Sequence, residues 1–260
     1  MITDFFQRLF TSFRGKKTTL IPPEKMIFVG HGDFIKIGDE FLEHFVNYGG
    51  LKKTDAVLDV GCGIGRMAVP LTKYLTTEAR YEGIDIVPKG ITWCKKNITP
   101  AYPNFHFQLV DIYNKSYNKK GKYKSSEYRF PYPDESFDFV FLTSVFTHML
   151  PADLENYLSE ISRVMKKGGK CLITYFLINQ ESLAGIEDKK SRFSFTYQFN
   201  ENCRFESEKI PESAIAYSEE YIRELYKKNG FNIATPILYG EWCGRKDFLS
   251  FQDIIVAHKI

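Results

Sequence analysis

Asp59, Asp85 and Asp111 are the residues from which chemistry is argued first, because each closes or nearly closes a short apolar run. Asp59 stands in Val57-Leu58-Asp59-Val60, just ahead of Gly61-Cys62-Gly63-Ile64-Gly65-Arg66. Asp85 and Ile86 end the run from Tyr81, and Asp111-Ile112 end the run Phe105 to Val110. Alternate glycines let a backbone turn sharply and lie against a ligand. The helix pattern behind them offers unpaired N–H groups at its first turn. A carboxylate offers two acceptor oxygens, which match the vicinal hydroxyls of a ribose. Acids at successive strand ends therefore suggest a crevice at the carboxyl edge of an open parallel sheet. A dinucleotide fingerprint would need glycine at position 66, where Arg66 stands.

Positioning these residues takes alternating strands and helices. Strands are expected at 57–60, 81–86, 105–110, 136–142 and 170–177, with helices over 67–75, 91–98 and 154–165. Lys166-Lys167-Gly168-Gly169 reads as a helix stop. Asp39 is expected to cap a helix carrying Phe41, Leu42, Phe45 and Val46, which Gly49-Gly50 ends. Ser218 is expected to cap another that stops at Asn229-Gly230, before two last strands at about 231–239 and 248–258. Two segments interrupt the pattern. Residues 113–135 are polar, basic and aromatic, either a solvated loop or a contact for single-stranded nucleic acid or an anionic sugar. In 178–217, Phe193, Phe195, Tyr197 and Phe199 alternate with polar residues as on one face of a strand. Asn200-Glu201-Asn202 turns that strand into a hairpin with residues 203–206.

Composition bounds the rest. Hydrophobic residues at 43% and charged residues at 26% are ordinary for a soluble globular chain. A formal net charge of +3 is too small to argue for nucleic acid. Cys62, Cys94, Cys171, Cys203 and Cys243 form no C-x-x-C pair, so no zinc site is expected, and a reduced cytoplasmic protein fits best. No acid and histidine arrangement has metal-ligand spacing. No signal peptide or membrane span is expected. Phe5, Phe6, Leu9, Phe10 and Phe13 with Arg8, Arg14, Lys16 and Lys17 suggest a short basic amphipathic helix, packed on the domain or touching a membrane surface.

Asp-x-Gly-x-Gly-x-Gly at 59–65 resembles motif I of the class I S-adenosylmethionine-dependent methyltransferases. Ser136 to Leu142, followed by Thr143 to Met149, resembles their motif IV. The order helix, Lys-Lys-Gly-Gly, strand after it is typical of the family. The resemblance covers about residues 50–175 strongly and 218–258 by pattern. It implies an α/β fold: a Rossmann-like, doubly wound seven-stranded sheet, mostly parallel, with an antiparallel last strand. It implies a methyltransferase domain over 50–260, preceded by an N-terminal helical segment and cap over 1–49, part of 28–46 covering the cofactor. S-adenosyl-L-methionine is the implied cofactor and S-adenosyl-L-homocysteine the product. Asp59, Gly61, Cys62, Gly63, Gly65 and Arg66 then meet its amino-acid end, and Asp85 with Ile86 its ribose. Asp111 and Ile112 frame the adenine, with Thr143 and Ser144 completing the site.

Methyl transfer needs alignment, water exclusion and, for a hydroxyl or amine, a base. His148 is the first candidate for that base; holding the loop and contacting the acceptor are its alternatives. His31, between Gly30 and Gly32, is the weaker candidate. No Asn-Pro-Pro-Tyr or Asp-Pro-Pro-Tyr follows the fourth strand, so Thr143-Ser144-Val145-Phe146 resembles small-molecule enzymes. Trp242, Arg245 and Tyr197 are expected at the acceptor, with a sugar or glycan hydroxyl as the candidate. An RNA or protein acceptor, a non-catalytic cofactor-binding module and a nicotinamide-dependent dehydrogenase are the competing readings, nucleic acid being disfavoured.

Overall fold

The structure is a computed structural model that describes residues 20–260 except Val29, His31 and Ser116. The expected basic helix at 1–17 lies outside the described residues.

α1 (Phe34–Asn47) starts at Asp33, whose carboxylate accepts from the Ile35 and Lys36 N–H groups at 2.9 Å each. The expected cap, Asp39, sits inside this helix instead. Asp33 wins because its backbone is extended and its oxygen reaches the orphan N–H groups of the first turn. Phe45, on the buried face of α1, packs 4.3 Å (ring centroids) from Phe141, so truncating it to alanine costs about 3–5 kcal/mol.

β1 (Ala56–Val60), α2 (Ala68–Tyr74), β2 (Arg80–Asp85), α3 (Pro88–Asn97), β3 (Phe105–Leu109), β4 (Phe137–Leu142), α4 (Pro151–Val164) and β5 (Met165–Tyr175) follow as alternating units. β6 (Leu177–Ile178), α5 (Gln180–Glu187), β7 (Tyr197–Asn200), β8 (Cys203–Phe205) and β9 (Ile215–Ser218) form the insertion expected to act as a lid. α6 (Glu219–Lys228), β10 (Phe231–Ile233) and β11 (Asp253–Lys259) close the chain. The main sheet has seven strands in the order β10-β11-β5-β4-β1-β2-β3. β11 runs antiparallel to both neighbours, and the other pairings are parallel. The order reverses between β1 and β4, so the crevice there opens at the ends of the strands carrying Asp59 and Thr143.

One core lies between the sheet, α4 and α6; a second lies on the other face against α1, α2 and α3. β1, β4 and the second half of β5 are buried toward both, which is why they read as largely hydrophobic runs.

Four local expectations are corrected. The fifth strand begins at Met165, not Lys170, because the helix ends at Val164 and Lys166 to Gly169 bulge between the pairs Phe137↔Met165 and Phe139↔Lys170. Phe193 and Phe195 precede the hairpin strand. Phe195 has φ 41° and its ring is buried with Phe176 and Trp242 in a third core, while Tyr197 and Phe199 are exposed. Ser218 precedes α6 without a side-chain capping bond. The last two strands are shorter than expected, joined beyond their ends by isolated pairs such as Leu238↔Ile254.

Candidate functional site

The glycine loop is held by the end of β2. Gly61 and Cys62 donate their N–H groups to the Ile84 carbonyl at 2.8 and 3.1 Å. Gly61 has φ 86°, and a side chain there would run into Val145 of the loop after β4. A side chain at Gly90, in the first turn of α3, would meet the Gly63 carbonyl. The two glycines therefore let three backbone segments converge on one cradle.

Asp59 lies at its floor, 1% exposed. Its Oδ2 accepts from the Tyr81 hydroxyl at 2.6 Å, and its Oδ1 is buried without a partner. Burial pushes its pKa up to about 8; the Tyr81 hydrogen bond opposes the shift and the charge of Asp85 adds to it. A buried carboxylate with one unmatched oxygen beside a glycine cradle suits a cationic amino group.

Asp85 braces the cradle from β2. Its Oδ2 accepts from Gly63 N–H at 2.8 Å and its Oδ1 from Val87 N–H at 2.7 Å. Burial raises its pKa, and these backbone donors act against the rise. Each oxygen keeps a second lone pair for a ribose hydroxyl. Ile86 beside it is half-buried.

Asp111 stands exposed at the end of β3, while its carbonyl accepts from Lys122 and Tyr123 N–H at 3.1 Å each. Ile112 is 1% exposed and belongs to the first core. Its side chain is therefore packed into that core and presents no open face, unlike the exposed ring contact the resemblance implies.

After β4, Ser144 takes φ 56° and donates its N–H to Thr174 Oγ1 of β5 at 2.8 Å. Its hydroxyl donates to Gln252 Oε1 at 3.0 Å, and Thr143 is half-buried beside it. His148 ends the short helical turn Phe146–His148. Its Nδ1 lies 2.8 Å from the Glu212 carbonyl, which only accepts, so Nδ1 carries the proton and Nε2 the lone pair. Burial, the largest influence, lowers its pKa, so the ring is neutral at pH 7. The Tyr217 hydroxyl of β9 donates to the Met149 carbonyl, fixing the lid on this same loop.

Arg66 donates to the Gly30 carbonyl at 3.3 Å and lies over the Phe34 ring, so it ties the start of α1 to the cradle. His31 lies outside the described residues. Trp242 and Arg245 do not face an acceptor. Trp242 is 1% exposed, and its indole N–H donates to Asp253 at 2.7 Å. Arg245 pairs with Asp253 at 3.0 Å and Glu181 at 2.7 Å. A fully buried Asp253 carboxylate, which also accepts from Leu177 and Gly240 N–H, needs these donors. They lock the lid to β11. Tyr197 is exposed on the outer lid strand and paired with Phe205, away from that cluster.

Tyr81, Thr174, Glu212 and Asp253 were not legible as site residues. Only Tyr81 left a signal. It sits two residues before Gly83, which stands opposite Asp59 in the sheet register. Cys62 and Phe107 fill the space over that glycine.

A family model described as a methyltransferase domain matches residues 51–230. The probable methyltransferase ltbC of Aspergillus luteorubrus is 34% identical over 120 residues, covering 46% of this chain and 39% of that protein. The 27-O-demethylrifamycin SV methyltransferase of Amycolatopsis mediterranei is 27% identical over 142 residues, 55% of this chain and 46% of its own. The matches thus span less than half the length of these relatives. Among solved structures, protein PH0226 of Pyrococcus horikoshii aligns with a TM-score of 0.60 at 17% identity, covering 91% of this chain and 95% of that one. Magnesium protoporphyrin IX methyltransferase of Synechocystis with bound S-adenosylmethionine aligns at 0.53 and 17%, covering 100% and 92%. These likenesses show the fold. The chain belongs to the class I S-adenosylmethionine-dependent methyltransferases.

Proposed function

We propose that this chain transfers the methyl group of S-adenosylmethionine to a hydroxyl of a small polar acceptor, a sugar or glycan. The observation that carries the reading is His148: neutral, with Nδ1–H held by Glu212 and a basic Nε2, on the loop beside the cradle. The cofactor supplies an electrophilic methyl carbon when bound. Asp59 Oδ1 and the glycine loop hold its amino-acid end, Asp85 the ribose hydroxyls, and Asp111 the exocyclic amine of adenine. His148 Nε2 takes the acceptor's proton, and the imidazolium keeps its bond to the Glu212 carbonyl. The lid, fixed by Tyr217, limits water around the transfer.

The named relatives divide by acceptor, and the rifamycin enzyme's name specifies an oxygen on a small molecule. Residues 50–260 act as the transferase domain and α1 as its cap. Five free, buried cysteines suit work in the reducing cytoplasm.

The test is the pH dependence of kcat/KM with a labelled methyl group. Wild-type activity rises through a pKa below 6.5 and levels off, and His148→Asn lowers it about 10²–10⁴-fold at pH 7 with unchanged S-adenosylhomocysteine affinity. A loss under about threefold would leave His148 without the role of base.

A further inference from the structure

Resting on that reading, we infer that the acceptor carries a phosphoryl group, nucleoside diphosphate-linked in the fullest form, and that the loop formed by residues 113–115 and 117–124 receives it. The segment contains Lys115, Lys119, Lys120, Lys122 and Lys124 and no acid. It is built rather than loose. Tyr113 N–H donates to the Tyr123 carbonyl at 2.8 Å, and Asn114 and Asn118 exchange backbone hydrogen bonds at 3.0 Å. The Asn118 amide donates to the Ile112 carbonyl, and a side chain at Gly121 would collide with the Ile112 backbone. Asn114 and Asn118 turn their side chains into the loop, and the lysine side chains are exposed. Tyr113, Tyr117 and Tyr123 are 47%, 50% and 55% exposed. Lys119, Lys120 and Lys122 are exposed and make no ion pair among the described residues. Lys124 is paired with Glu127 at 3.5 Å.

The loop's place gives this charge a use. Its base is Asp111, the adenine end of the cofactor crevice. On its other side Lys115 Nζ meets the Lys209 carbonyl of the lid at 3.5 Å. Three residues further on, the Glu212 carbonyl holds His148. Extended chain covers at most about 3.6 Å per residue, so the Lys209 carbonyl lies within about 11 Å of the carbonyl that orients the base, and Lys115 Nζ within about 14 Å. A sugar hydroxyl at His148 Nε2 leaves its anomeric phosphates within reach of such a rim. Ammonium groups bind phosphate as point charges, and exposed tyrosine faces stack nucleobases. The small net charge of the whole chain makes a dozen residues with five lysines a local device.

The experiment uses the full chain saturated with S-adenosylhomocysteine and titrates UDP, inorganic diphosphate and an oligouridylate by calorimetry. UDP is expected to bind, more weakly as salt rises. Replacing Lys115, Lys119, Lys120 and Lys122 by glutamine weakens UDP by about tenfold or more, with S-adenosylhomocysteine affinity and melting temperature unchanged. UDP tighter than diphosphate supports a nucleotide-linked acceptor, and equal binding supports a simpler phosphorylated one. Failure of both to bind, or binding unmoved by the substitutions, overturns the inference. So does oligouridylate affinity that grows with length, which would assign the surface to a polymer. If the substituted chain methylates a nucleotide sugar as well as wild type does, this inference fails while the hydroxyl reading stands.

Discussion

Replacing Asp85 by asparagine separates loop bracing from cofactor binding. The carboxylate accepts two buried backbone N–H groups, from Gly63 at 2.8 Å and Val87 at 2.7 Å. A hydrogen bond to a charged group contributes about 1.5–3 kcal/mol. An amide keeps one of the two and turns its NH₂ toward the other donor. Removing a buried charge whose pKa is already raised by burial offsets part of the loss. The folded chain is therefore expected to lose about 1–2 kcal/mol, or about 2–8 °C in melting temperature for a domain of this size. Binding loses more, because the single amide oxygen is already occupied and cannot serve both ribose hydroxyls. A loss of about 2–4 kcal/mol weakens S-adenosylhomocysteine about 30- to 1,000-fold, read by calorimetry beside a thermal melt. A melting temperature lowered as stated, with affinity within about threefold of wild type, would refute the reasoning: Asp85 would then brace the loop without touching the cofactor.

Two further outcomes follow from buried carboxylates. Asp59 has a folded pKa of about 8 against an unfolded value near 3.9, so its contribution to stability is full below about pH 4 and lost as pH rises through about 8. Asp253, raised to about 6, has finished most of its own loss by then, so the cofactor-free chain should melt lower at pH 9 than at pH 7, and Asp59→Asn should flatten that fall. Asp253→Ala strips an acceptor from Leu177 N–H, Gly240 N–H and the Trp242 indole and leaves the buried Arg245 without its buried carboxylate partner. It should cost about 3–5 kcal/mol in urea unfolding, and a cost below about 1 kcal/mol would show that the cluster does not hold the lid.

The parallel sheet was legible because the short apolar runs of β1 and β4 alternate with helix patterns, and β1 and β2 close on Gly61 and Asp85. Those strand ends also gave the expected place for a ligand. What stayed hidden depends on partners far apart in sequence. His148 could be named as a titratable group, but its tautomer is set by Glu212, 64 residues on. Trp242 and Arg245 have the composition of a binding surface; only the burial of Asp253 turns them inward. Phe193 and Phe195 share an alternating pattern with Tyr197 and Phe199, yet a left-handed backbone at Phe195 folds the first two into the lid core. At the start of α1 two aspartates competed, and local backbone conformation rather than residue type chose Asp33.

The most direct test of the central claim is transfer of a tritiated methyl group from S-adenosylmethionine to a panel of sugars, nucleotide sugars, lipids, RNA and protein. The account predicts label in an ether on a sugar hydroxyl, lost on His148→Asn. Label that appears only in RNA, protein or an amine, or no label despite tight S-adenosylhomocysteine binding, would contradict it.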